Sequence, residues 1–266
     1  MHPWLVNGWP MTTYGACIVC GLIAAWLLAR RLAKRERIDV SLIDLMVPLL
    51  VGAGILGAYA FGWWTDAVTE EASHGVVLVG AMACATLIGI VYGMAMRIPL
   101  GRIGDVFAAP AALGIACGRV GCFFAGCCYG KVAALPWMGV RFPCGSFAFV
   151  DQVQHGLLPA DAAASLPAYP VQLLEAVACM LLAWLLGRRF SKRRISGERF
   201  LMLGVGYAAV RFPLEFLRAD NPAVVGGLTF SQFGCLGLAV AAVITMAVRR
   251  HLADALDLRT AIVPEG

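Results

Sequence analysis

Charged side chains are scarce in this sequence of 266 residues. Asp, Glu, Lys and Arg together make up 14% of the chain, whereas apolar residue types make up 61%. Soluble domains average about 25% charged residues and roughly 45–50% apolar ones. A water-soluble protein of this size could not bury so much apolar surface, and a disordered or nucleic-acid-binding chain would carry more charge. The composition therefore predicts an all-α polytopic membrane protein whose few polar residues carry the function.

Three other features are missing as well. No hydrophilic stretch is long enough for a separate extramembrane domain, so residues 1–266 are predicted to form one integral membrane domain. No internal repeat is evident, which argues against the inverted-repeat transporter folds. The ten cysteines show no common zinc-ligand spacing. No metal site and no organic cofactor are therefore predicted.

Apolar runs of about 20 residues, the length that crosses a bilayer as a helix, recur along the chain. The seven predicted spans are residues 12–29, 43–64, 74–95, 104–125, 170–187, 199–217 and 229–248. The longest connection, residues 126–169, is expected to form an arm or lid on the outer side of the membrane.

Basic residues are distributed unevenly around these spans. Sixteen of the 21 Lys and Arg residues cluster on one side of a seven-span topology. The positive-inside rule makes that side cytoplasmic, so the N-terminus is predicted outside and the C-terminus inside. The five that remain are Arg119, Lys131, Arg141, Arg211 and Arg218. Because charges within or beside a span are costly and usually face a cavity, these five are candidates for function.

Arg119 lies in a glycine-rich segment at the end of the fourth span. The glycines of this segment are Gly114, Gly118, Gly121, Gly126 and Gly130. A close-packed helix seam would account for them, but it would not account for an arginine. The planar guanidinium group suits bidentate binding of a phosphate, so we interpret Arg119 as an anion ligand.

A second polar group of residues lies near the end of the sixth span. Tyr207, Arg211 and Glu215 are four residues apart, which places them on one helical face, and Arg218 follows. A simple i,i+4 ion pair between Arg211 and Glu215 is the alternative interpretation, and the sequence leaves it open.

Two weaker signals lie where spans begin. Gln172 and Glu175 share a helical face at the start of the fifth span, although the helix dipole alone favours a glutamate there. His74 opens the third span and is the candidate base, although a lone histidine at a helix entrance is more often a cap or an interface residue.

In this order the motifs resemble those of the prolipoprotein diacylglyceryl transferases, a family of bacterial inner membranes. The family signature G-R-x-G-N-F-x-x-G-E-x-[YW]-G corresponds to residues 118–130, with Cys122 and Cys127 in place of the asparagine and the glutamate. The family segment H-P-x-Q-L-Y-E-A corresponds to residues 169–176, where Tyr169 stands in place of the histidine. The resemblance covers about residues 14–248.

The resemblance implies that a diacylglyceryl group moves from phosphatidylglycerol to the thiol of a lipobox cysteine in a secreted preprotein. It implies a monomer surrounded by membrane lipids in the inner membrane, with no nucleic-acid partner. Arg119 and Arg211 would be the catalytic phosphate ligands, and His74 the base. The substrate-binding positions would be Tyr14, Gly118, Gly121, Cys122, Gly126, Gly130, Gln172, Glu175, Tyr207, Glu215 and Arg218.

Three other functions remain open from the sequence. The two cysteine replacements suit a related lipid transferase that uses another acceptor. A thiol–disulfide oxidoreductase would use the cysteines near the outer face, which are Cys122, Cys127, Cys128 and Cys144. A lipid binder or transporter would use the same arginines without catalysis.

Overall fold

The computed structural model describes the backbone of residues 12–68, 74–188, 195–219, 221 and 224–262. Side chains are described for the same residues except 64–68, 74–79 and 256–262. Most of these residues are helical, and their β-structure is limited to isolated bridges.

Eight α-helices and one 3-10 turn at Pro136–Met138 make up the described secondary structure. The helices are α1 Thr13–Arg35, α2 Val40–Val68, α3 His74–Ala95, α4 Leu100–Ala125, α5 Phe147–Gln154, α6 Val171–Arg188, α7 Glu198–Glu215 and α8 Phe230–Ile262. Each predicted span overlaps one of the seven long helices, and α5 lies within the predicted arm.

Five stretches of the described helices are long and apolar enough to cross a membrane. They are Thr13–Arg35, Val40–Trp63, Leu100–Ala125, Val171–Arg188 and Phe230–Ala255. This agrees with an all-α polytopic membrane protein. Of the other two long helices, α3 has a shorter described apolar stretch, and α7 carries the polar residues of the second motif. Membrane crossing by α3 and α7 stays a prediction.

The described residues fall into two compact units, whose boundaries lie within α1 and α4. In the unit of Trp26–Phe107, α2 packs against α3 through small residues. A Cβ atom on Gly57 would clash with the carbonyl oxygen of Gly80, so the two helices approach at backbone distance. The other unit, Met1–Ala25 with Ala108–Gly266, contains the polar motifs; in it α7 packs against α6 and α8.

The segment of residues 126–169 is packed and irregular. Its core is a buried cluster of Tyr129, Phe142, Ala148 and Ala168. Bridges join Ala168 to residues 132 and 140, so the end of the segment runs beside its beginning. Backbone pairing in this segment is confined to single bridges, so its sequence needs no helix or strand periodicity. Placement of this segment on the outer membrane surface stays a prediction.

Candidate active site

A buried carboxylate joins two arginines from different helices. Glu175 on α6 has 1% of its surface exposed. Its Oε2 atom lies 3.0 Å from Nε of Arg119 on α4 and 3.3 Å from Nη1 of Arg211 on α7. Its Oε1 atom accepts a hydrogen bond of 3.2 Å from the hydroxyl of Tyr207. Glu175 therefore sets the relative position of two guanidinium groups far apart in sequence.

A second buried carboxylate extends the network toward the end of α7. Glu215 Oε2 lies 2.8 Å from Nη2 of Arg211 and 3.9 Å from Nε of Arg218. The i,i+4 pair between Arg211 and Glu215 exists, but Arg211 is also bound to Glu175, so mutual neutralisation does not describe it fully. In the described residues this cluster holds three arginines and two glutamates. The excess of positive charge favours an anion in the site.

The start of α8 also binds the second carboxylate. Thr229 is the N-cap of α8 and forms a reciprocal capping box with Gln232: the Thr229 amide donates to Gln232 Oε1 at 2.9 Å, and the Gln232 amide donates to Thr229 Oγ1 at 3.3 Å. The Thr229 hydroxyl donates to Glu215 Oε1 at 2.9 Å. Ser231 lies two residues after Thr229, and its Oγ atom accepts a hydrogen bond from Nε of Arg211 at 3.3 Å. Neither residue was predicted, although T-x-x-Q is a readable capping signal.

A tight turn after α4 carries the end of the signature. Gly126 has a φ of +72°, a left-handed conformation that glycine adopts without strain. A Cβ atom on Gly130 would lie 2.6 Å from the carbonyl oxygen of Tyr169, so only glycine fits beside that strand-like segment. Gly130 also pairs through an isolated bridge with Arg218. The turn thereby brings the signature next to the end of the α7 motif.

Three thiols meet at this turn. The Sγ atoms of Cys122, Cys127 and Cys128 all lie within 4.8 Å of one another. Cys128 has a φ of +57°, which directs its side chain back toward the other two. The pKa of Cys128 lies well below its ordinary value, because the thiols of Cys122 and Cys127 donate hydrogen bonds to its sulfur and because Arg218 and Arg119 are near, although burial opposes this. In the described residues these thiols are the only group with metal-ligand geometry.

Gln172 fixes the same turn from α6. Its Nε2 atom donates to the carbonyl oxygen of Cys127 at 2.8 Å. The residue is 1% exposed, and its Oε1 atom is buried with no hydrogen-bond partner among the described residues. Such an orphaned acceptor is costly unless a ligand supplies a donor.

The structure thus brings most of the predicted residues together. Arg119, Arg211 and Arg218 are largely buried and join the network, whereas Lys131 and Arg141 are exposed. Tyr14 on α1 packs against Gly121, with Cδ2 3.1 Å from a Cβ built there, and Gly118 faces Ile18. The side chain of His74, the predicted base, lies outside the described residues.

Buried arginines that carboxylates hold among apolar helices place this chain among polytopic membrane proteins with a charged cluster inside the helical bundle. Within that class, the chain belongs to the prolipoprotein diacylglyceryl transferase family, whose model matches residues 4–248.

Curated relatives support the same assignment. The chain is 28% identical over 228 residues to a phosphatidylglycerol–prolipoprotein diacylglyceryl transferase of Clostridium tetani, which covers 83% of this chain and 86% of the relative. A protein of the same name from Methylococcus capsulatus is 28% identical over 256 residues, covering 88% and 89% of the two chains. The phosphatidylglycerol–prolipoprotein diacylglyceryl transferase 2 of Clostridium perfringens is also 28% identical, over 238 residues, which cover 86% of this chain and 87% of the relative.

Proposed function

We propose that this protein transfers the diacylglyceryl group of phosphatidylglycerol to the thiol of a lipobox cysteine in secreted preproteins. The products are a thioether on the preprotein and free glycerol phosphate, and this is the first step of lipoprotein maturation. The observation that carries the proposal is the pair of guanidinium groups of Arg119 and Arg211 on one buried carboxylate, Glu175. These residues occupy the family's motif positions.

The arginines act on the leaving group. The acceptor thiolate attacks the carbon of the diacylglyceryl group that bears the phosphate. A carbon–sulfur bond forms, and the carbon–oxygen bond to the phosphate breaks with its electron pair going to the phosphate of the departing glycerol phosphate. Preorganised cations in a dry site stabilise the negative charge that develops there. Arg119 and Arg211 hold the phosphate, and Arg218 guides the headgroup into the site. Glu175 and Glu215 are positioning residues, since each acts through the arginines that it binds.

The remaining polar residues shape the pocket around these cations. Tyr207 donates to Glu175, and Tyr14 packs against the signature helix at Gly121. Gln172 holds the turn through the Cys127 carbonyl. The thiol must lose its proton to attack well, and His74 is the proposed base. A neutral imidazole is the side chain best suited to that task near pH 7.

The membrane arrangement follows from the charge distribution. The protein would cross the inner membrane seven times as a monomer, with the N-terminus outside and residues 126–169 forming an outer arm. One integral domain then comprises residues 1–266. The thiol that is to be lipidated reaches the same outer side once its preprotein is exported.

A related transferase with a different acceptor is the second candidate. The observation in its favour is that Cys122, Cys127 and Cys128 converge where the signature has asparagine and glutamate. Sulfur ligands there can change which acceptor binds.

The two candidates differ in one assay. The full-length protein is reconstituted in vesicles of phosphatidylglycerol and incubated with a lipobox peptide or with the same peptide carrying serine for cysteine. A mass increase of one diacylglyceryl group on the cysteine peptide alone supports lipobox transfer. If the cysteine peptide stays unchanged but a small thiol, alcohol or amine added as acceptor gains the diacylglyceryl group, another acceptor is supported. Unchanged phosphatidylglycerol in every one of these incubations contradicts both candidates.

A further inference from the structure

The three-thiol cluster has a chemistry that the arginine network does not use. Two of its members, Cys122 and Cys127, replace the polar residues of the family signature, and Cys128 fills the variable position beside them. All three are half-buried, so a solute in the site can reach them. Cys144 is exposed and lies outside this group.

The spacing of the sulfur atoms suits one metal ion. Zinc–sulfur bonds of about 2.3 Å in a tetrahedral site place the sulfur atoms roughly 3.8 Å apart. The Sγ atoms here lie within 4.8 Å of one another, so each sulfur needs to move by less than 1 Å, as a rotation of a side chain allows. The spacing of the cysteines in the sequence does not predict this cluster, because it forms only when residues 126 and 128 adopt left-handed conformations and fold the turn back on α4.

The surroundings suit such an ion in two independent ways. A divalent cation with three thiolates has one net negative charge, and Arg119 and Arg218 are near enough to interact with the sulfur atoms electrostatically. Gln172 holds the carbonyl of Cys127 and leaves its buried Oε1 atom without a partner. Gln172 thus contacts the turn that carries the sulfurs, and its Oε1 atom can accept a hydrogen bond from a group that enters there.

We propose that Cys122, Cys127 and Cys128 bind a thiophilic divalent cation of the zinc type, and that its open fourth position binds the acceptor thiol. Three protein ligands with one exchangeable position are typical of catalytic zinc. This inference rests on the proposed function for the identity of the acceptor, but the cation site itself does not depend on it.

The ion would activate the thiol without any redox change. The acceptor thiol binds the cation and releases its proton to a base or to water, since a metal-bound thiol is deprotonated. The bound sulfur then donates its electron pair to the glycerol carbon, and the carbon–oxygen bond electrons leave on the phosphate. The thioether product is neutral and a weaker ligand, so it dissociates and reopens the position.

Cobalt(II) tests the cation site directly. The reduced full-length protein in detergent is stripped with a chelator and titrated with Co²⁺, whose thiolate charge-transfer and tetrahedral d–d absorption report sulfur ligands. We expect both bands to saturate at one ion per chain and to disappear on addition of Zn²⁺. Cys127→Ser should lose the bands, and the matched control Cys144→Ser should keep them. The absence of bands in the parent, or their persistence in Cys127→Ser, would overturn the proposal.

A peptide titration tests the fourth position without requiring transfer. In the cobalt-loaded protein, without phosphatidylglycerol, a lipobox peptide should increase the thiolate charge-transfer band as its sulfur becomes the fourth ligand. The serine peptide should leave the band unchanged. If both peptides increase the charge-transfer band equally, or if neither peptide changes it, the proposed role of the ion in thiol binding is wrong.

Activity separates this inference from the proposed function. A free thiol is only a few per cent thiolate at pH 7, so stripping the ion should lower the transfer rate by up to about 30-fold, and Zn²⁺ should restore it. The double variant Cys122→Asn/Cys127→Glu, which restores the signature, should show no cobalt bands and no response to the chelator. Transfer by the stripped parent at the full rate overturns the metal role and leaves the transferase standing. Cobalt and peptide-thiol binding without any transfer would refute the proposed function while leaving the cation site in place.

Discussion

Replacing Arg119 by lysine keeps a positive charge but removes the planar guanidinium group. In the structure Nε of Arg119 is bound to Glu175 at 3.0 Å, and 16% of the side chain is exposed. Arginine can hold that carboxylate through Nε and a phosphate through its terminal nitrogens at the same time. The single ammonium group of lysine can bind only one of these two anions well, so replacing Arg119 by lysine is not conservative here.

The size of the effect follows from one lost charged hydrogen bond. Such bonds contribute about 1.5–3 kcal/mol, which corresponds to roughly a 10- to 150-fold loss of kcat/KM. We expect this loss in initial rates of peptide thioether formation with reconstituted Arg119→Lys. Its thermal unfolding should stay close to that of the parent, because the pair with Glu175 can be kept.

Arg141→Lys is the matched control for this substitution. Arg141 is exposed, and its Nη1 atom contacts only the Ser165 carbonyl at 3.5 Å among the contacts of the described residues. Its kcat/KM should stay within about twofold of the parent. If Arg119→Lys lipidates the peptide at the parental rate, bidentate recognition of the phosphate by Arg119 is wrong.

Three further substitutions test other parts of the account. Glu215→Gln removes a buried carboxylate from between two arginines, so the free energy of unfolding should fall by about 3–5 kcal/mol, seen as a lower thermal unfolding temperature. Gly130→Ala places a Cβ atom 2.6 Å from the Tyr169 carbonyl oxygen, so proteolysis of the segment after α4 should become faster. His74→Gln should lower the transfer rate by about 100-fold or more, because glutamine cannot take up the proton of the acceptor thiol.

Each of these has a result that would contradict it. An unchanged unfolding temperature in Glu215→Gln would show that the two arginines do not need this carboxylate. Gly234→Ala, where a Cβ atom meets nothing within 4 Å, is the control for Gly130→Ala, and equal proteolysis of the two would refute the close-approach argument. An unchanged rate and pH profile in His74→Gln would exclude His74 as the base.

The long helices could be predicted because a membrane allows few alternatives. Backbone groups in lipid must be satisfied within a helix, so an apolar run of sufficient length is a strong signal. The third predicted span, residues 74–95, coincides with α3, and the largest differences lie at the polar ends, as where α8 continues to Ile262. The segment of residues 126–169 was predicted as an outer arm or lid, but its internal order could not be predicted, because that order depends on isolated bridges and one buried cluster.

The candidate site was predictable where helical spacing applies. The four-residue intervals placed Tyr207, Arg211 and Glu215 on one face, and the structure confirms their common helix. The role of Glu175 was harder to see, since the helix dipole alone favours a glutamate there and its partners lie on two other helices. The meeting of the three thiols depends on left-handed backbone at Cys128. Residues other than glycine and asparagine rarely adopt this conformation, so the sequence does not indicate it.

The central claim is that one reaction breaks the bond between the diacylglyceryl group and the phosphate of phosphatidylglycerol and attaches that group to a cysteine. Its most direct test is to measure both products from one incubation with headgroup-labelled phosphatidylglycerol and a lipobox peptide. The account predicts glycerol phosphate and peptide thioether in equal amounts throughout the time course, and neither product from the serine peptide. Release of glycerol phosphate without thioether, or thioether without release, would contradict it.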